Sequence, residues 1–107
     1  MATERTVIAR IRPLVVARDG YCRVARNPLA AMGPCWGVSE WAHLGESKRF
    51  KTRGQDPERR HTTKGTAMLC TGHHRDYDEH RLQIEELTPE RANGRLGFVR
   101  DGRRFEE

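Results

Sequence analysis

The sequence predicts a small α+β domain with an N-terminal helix, a cysteine–histidine knuckle at the mouth of a central helix, and a C-terminal β-hairpin. Three observations carry this. The chain has 107 residues, 36% apolar and 33% charged, with ten Gly and five Pro. That is one domain with a modest core, and domains of this size often rely on a metal or disulfides. Next, the apolar spacing is helical near the N-terminus and alternating near the C-terminus. Finally, "MLCTGHHRDYDEH", Met68 to His80, places one cysteine, three histidines and two aspartates in thirteen residues.

The elements follow in order. In "TVIARIRPLVVARDG", Val7, Ile8, Ile11, Leu14 and Val15 share a helical face, Pro13 splits or kinks the helix, and Asp19-Gly20 stops it. "YCRV" reads as the start of a short strand and "NPLAAMGPC" as a loop broken by Pro and Gly. "VSEWAHL" is a short strand. Residues 44–64 form a long basic loop with one helical turn near Pro57. "TAMLC" is a strand or turn leading into a helix from Gly72 or His73 to about His80. "RLQIEEL" and "RLGFVRDG" are strands joined by the turn "TPERANG". The chain therefore divides into a helical segment 1–20, a core 21–80, and a hairpin and tail 81–107.

The composition also excludes classes. No apolar stretch approaches the roughly 20 residues of a membrane helix, and the N-terminus lacks a signal-peptide pattern. Three cysteines cannot all pair, so the thiols read as reduced, metal-ready and cytoplasmic. The net charge is +5, and residues 44–64 hold seven basic residues against three acids. Such a segment suits a polyanion, although a charge run alone is also an ordinary solvated loop.

Cys70 and His73 have the two-residue gap of a zinc knuckle. Cys22 and Cys35 complete a Cys3His set, or else they are buried apolar residues. His74 and Asp78, at i and i+4, share a helix face about 100° around from His73. A nitrogen and a carboxylate with open positions suit a divalent ion that handles phosphates; the alternative for Asp78 is a solvated residue near Arg75 or Arg81. His73 is thus expected to face the thiolates and His74 a second cation.

"RDGYC", "EWAHL" and "MLCTGHHRDYD", spanning Arg18 to Asp78, resemble the HNH nuclease family, chiefly its small phage and prophage members with a zinc knuckle. The resemblance implies a ββα-metal (His-Me finger) fold and hydrolysis of phosphodiesters in double-stranded DNA. It implies His43 as general base, His74 as catalytic-metal ligand, and Asp78 where some members carry a second ligand. It also implies a bacterial or phage-infected cell, with a phage packaging or replication protein as a candidate partner. Ala42 stands where the family commonly has a metal-holding Asp, Glu or His, and Gly65 where it has Asn. Those two departures favour a rival, a non-catalytic zinc-stapled nucleic-acid-binding or packaging accessory module.

Under the nuclease reading, neutral His43 takes a proton from water. Mg2+ or Mn2+ at His74 and Asp78 stabilises the phosphoryl charge. Arg49, Arg53 and Arg75 grip phosphate without reading sequence. His61 orients the loop, supplies a further ligand or is exposed, with exposure favoured. His80 is expected to complement the helix dipole. Trp36 and Trp41 read as core residues rather than base-stacking ones.

Overall fold

The computed structural model describes residues 3–26, 32–45 and 56–107. Arg49 and Arg53, with the rest of residues 46–55 of the basic segment, lie outside these residues.

Helix α1 spans Glu4–Asp19. The Thr3 hydroxyl accepts from the Thr6 N–H at 3.2 Å, and Glu4 and Arg18 complement the two ends of the helix dipole. Pro13 does not split the helix, which runs through it. The ring removes only the bond to the Ala9 carbonyl, and both residues are on the exposed side, where water can serve that carbonyl. Val7 and Val15 are fully buried, whereas Leu14, at the edge of the apolar stripe, is 55% exposed. The Gly20 N–H bonds the Val16 carbonyl, and the helix ends at the predicted place.

The expected strand at Tyr21–Val24 is instead a 3₁₀ turn, Arg23–Arg26. Arg23 is 2% exposed and fully bonded, to Asp19 at 3.1 Å, to both Glu107 carboxylate oxygens at 2.8 Å, and to the carbonyls of Ala92 and Gly94. An extended chain would separate residues four apart by on the order of 13 Å, so the Asp19–Arg23 pair requires a coiled path. Asp19 also accepts from Arg18 and from the Met68 N–H, which ties the end of α1 to the strand carrying Met68.

Strands β1 (Ser39–His43) and β2 (Thr66–Cys70) pair antiparallel, with Ser39 opposite Cys70 and His43 opposite Thr66. Helix α2 is the predicted single turn, Pro57–Arg60, capped by the Asp56 side chain. All of β2 is buried because it packs against both α1 and helix α3 (Thr71–Asp78), which begins directly from Cys70. The helix ends two residues before the predicted His80, which adopts φ 64° in the turn beyond it.

The second sheet has three antiparallel strands in order, β3 (Leu82–Glu86), β4 (Leu96–Arg100) and β5 (Arg103–Glu106). The segment read as a tail is therefore a third strand. Asp101 and Gly102, with φ 51° and 75°, make the two-residue turn that matches strand twist. Phe98 and Phe105 stack across the pair at 6.3 Å. One apolar core joins this sheet to the β1–β2 pair through Leu44, Leu69, Leu82, Leu96 and Phe98, and it continues to Cys22 and Cys70. Each such side chain contributes about 1.5–3 kcal/mol. Among the described residues no helix is long and apolar enough to cross a membrane.

Candidate metal centre

The core ends at a cluster of four donors. The sulfurs of Cys22, Cys35 and Cys70 lie 3.6, 3.5 and 3.2 Å from Nδ1 of His73, and all four ligand atoms fall within 4.8 Å of one another. Bonds of about 2.3 Å to sulfur and 2.0 Å to nitrogen at a tetrahedral angle put a sulfur roughly 3.6 Å from the nitrogen. The Cys3His set therefore fits zinc. The pieces come from the loop after α1, the chain before β1, the end of β2 and the first turn of α3.

Local chemistry fixes each donor. The Cys70 sulfur caps α3, accepting from the His73 N–H at 3.4 Å. His73 Nε2 donates to the carbonyls of Met32 and Gly33 at 2.9 and 3.2 Å. That bond sets the tautomer and leaves Nδ1 as the ligating nitrogen. Burial, and then the neighbouring sulfurs of Cys22 and Cys70, push the Cys35 thiol up to about 12 without a cation. A cation binding here displaces protons, so its affinity falls as pH falls. Gly72 admits this geometry: the Trp36 indole lies where a Cβ would sit. Trp36 is 48% exposed, with Arg75 5.1 Å over its ring, so it is a lid on the knuckle and not the core residue predicted.

His74 faces elsewhere. It lines a pocket of about 350 Å³ with Glu40, Thr71, Arg75, Asp78 and Glu79. Its Nδ1 is 2.8 Å from Glu40 Oε1, and its Nε2 is 3.6 Å from Asp78 Oδ2. The Thr71 hydroxyl holds the other Glu40 oxygen at 2.8 Å. That hydroxyl, and then His74, keep the Glu40 carboxyl below the usual carboxylate range. An ionised Glu40 accepts the Nδ1–H, and the Nε2 lone pair is directed to the side where Asp78 lies. A carboxylate on one nitrogen of an imidazole fixes the orientation of the ring, as it does in metal-binding histidines.

Glu40 was missed in the sequence. The available signal was strand alternation, since Glu40 and Ala42 point to the same face of β1. Ala42, buried under α3, offers no ligand, and Glu40 supplies a carboxylate one pleat away.

His43 takes the opposite face with Trp41. Its Nε2 is 2.9 Å from His61 Nδ1, and Trp41 lies 5.0 and 5.1 Å from the two imidazole rings. His61 is 3% exposed, which corrects the expectation that it is exposed, and its Nε2 reaches Glu4 Oε1 at 2.9 Å. The structure thus brings together Cys22, Cys35, Cys70 and His73, and separately His74 with Asp78. It joins His43 to His61, on the face of β1 opposite Glu40. Arg75 is exposed at the pocket rim. Gly65, in the position of the expected Asn, accepts the Leu44 N–H at its carbonyl. The chain matches no protein-family profile, no curated protein and no solved structure.

Proposed function

We propose that this chain is a metal-dependent DNA endonuclease of the HNH kind, a ββα-metal unit stapled by zinc. One observation carries the reading: His74 donates Nδ1–H to a fixed carboxylate and presents Nε2, beside Asp78, to an open polar pocket. Its donors suit Mg2+ or Mn2+, which would supply charge neutralisation for a phosphodiester bound there. Arg75 at the rim would bind phosphate. His43 would take the proton of the attacking water.

Neighbouring strand positions alternate, so the pocket and His43 lie on the two sides of β1. Among the described residues β1 pairs only with β2. A phosphodiester laid across the outer edge of β1 would face both. The test is cleavage of supercoiled plasmid with Mg2+ or Mn2+, with and without chelator. Wild type should nick or linearise it and His74→Ala should not.

The second reading, a zinc-stapled nucleic-acid-binding or packaging accessory module, is favoured by the turn of His43 toward His61. Tight DNA binding with no cutting under either metal, alone or with a partner present, would select it.

A further inference from the structure

The pocket makes no use of a second polar chain that crosses three segments. Glu4, at the start of α1, accepts at Oε1 from His61 Nε2 at 2.9 Å and from Arg60 Nη1 at 3.1 Å. His61, buried after α2, turns its Nδ1 to His43 Nε2 on β1 at 2.9 Å. Trp41 stacks on His61 at an interplanar angle of 27° and covers the junction.

The direction of each bond follows from what each atom can do. An ionised carboxylate only accepts, so His61 Nε2 carries a hydrogen. The His61 bond, with Arg60 beside it, holds the Glu4 carboxyl below its ordinary value. A neutral imidazole has a single N–H, so His61 Nδ1 must accept. The hydrogen in the next bond then belongs to His43 Nε2, and the lone pair of a neutral His43 is at Nδ1.

We propose that Glu4, acting through His61, is a positioning residue that holds His43 in the Nε2–H tautomer and so makes Nδ1 the proton-accepting atom. Its use in catalysis rests on the nuclease reading; the tautomer does not. In that reaction the water O–H bond breaks and its proton goes to His43 Nδ1. The water oxygen bonds to phosphorus as the leaving alkoxide departs with the P–O electron pair. His43 is then an imidazolium whose Nε2–H stays on His61, and its charge is matched by Glu4 beyond.

A purely structural role is the alternative. Glu4 also anchors α1 to α2, alongside the Arg10–Glu58 pair at 2.6 Å. Imidazole 1H–15N spectra of the full, zinc-loaded chain, taken above the imidazole titrations, separate the two. The expected wild-type spectrum has both His43 and His61 protonated at Nε2. In Glu4→Gln, with fold and zinc retained, the His43 proton redistributes over both nitrogens. In the same variant kcat falls at least about tenfold with KM little changed, and Glu4→Asp recovers part of it. A wild-type His43 protonated at Nδ1, or a Glu4→Gln variant with wild-type spectrum and kcat, overturns the proposal. A wild type that cuts no DNA but shows the Nε2–H tautomer, lost in Glu4→Gln, removes the nuclease reading and leaves the tautomer assignment standing.

Discussion

His73 is 2% exposed and has three sulfurs within 3.6 Å of one nitrogen. His74, the next residue, keeps 24% of its side chain exposed and has a carboxylate oxygen at each nitrogen. The same side chain, one residue apart, thus serves two different environments. The second nitrogen decides which. In His73 it bonds to fixed backbone carbonyls in a closed shell that leaves no position for a substrate. In His74 it bonds to Glu40 and leaves the other nitrogen toward an open pocket. A closed Cys3His shell holds the fold, while an open His–carboxylate pair can take a cation and a reacting ligand together.

The harshest way to break this comparison is to remove a closed-shell donor. Structural zinc in such sites contributes about 10–16 kcal/mol, against a net stability of about 5–15 kcal/mol for a domain. Cys70→Ser and His73→Ala should therefore unfold the chain, read by circular dichroism and zinc content. A native His73→Ala protein with one zinc per chain would refute the closed-shell assignment. At the next residue the outcome should invert. His74→Ala should keep zinc, fold and melting temperature, and lose at least about 100-fold in metal-dependent cleavage.

The contrast between the two imidazoles was legible in part. The spacing of Cys70, His73, His74 and Asp78 turns His73 to the thiols and His74, with Asp78, to another side, because helical geometry separates adjacent residues by about 100°. Glu40 was not legible, because its partner His74 lies 34 residues away and only the β1–α3 packing unites them. His61 was misread for the same reason: a polar residue in a basic run is usually solvated, and its burial depends on Glu4 and Trp41, both distant in sequence. The turn at Arg23 escaped because "YCRV" has strand propensity, while a buried guanidinium bonded to Asp19 and Glu107 sets the local path. Helix α1 and the β3–β4 hairpin were readable because their periodicity and stop signals are local, whereas β2, buried at every position, reads only as a strand or turn, and its pairing with β1 spans more than twenty residues.

A smaller change sharpens the role of the carboxylate on His74. Glu40→Gln keeps the shape of the side chain but can present an N–H as well as an oxygen to Nδ1. Orienting partners of this kind are worth about 10–100-fold in metal affinity or activity. The expected result is a loss in that range, short of His74→Ala, with zinc content unchanged, measured by Mn2+ titration and cleavage rate. A Glu40→Gln variant with wild-type Mn2+ affinity and rate would make the carboxylate a bystander.

The smallest effect concerns a third imidazole that combines features of both. His61 is as buried as His73, at 3% exposed, yet bonds a carboxylate as His74 does. Its bond to Glu4, with Arg60 nearby, holds the Glu4 carboxyl below its ordinary value of 4.5. The folded chain then binds fewer protons at Glu4 than the unfolded chain does, so this contribution to stability is present above the ordinary value. It is lost as pH falls through the lowered one. Half of the Glu4 side chain is open to solvent, at 52%, so screening keeps the effect small. Glu4→Gln should melt slightly below wild type at neutral pH, and the two curves should converge in acid. A gap of constant size across that range would assign the loss to packing at the start of α1, and the charge on Glu4 would then have no part in holding His61.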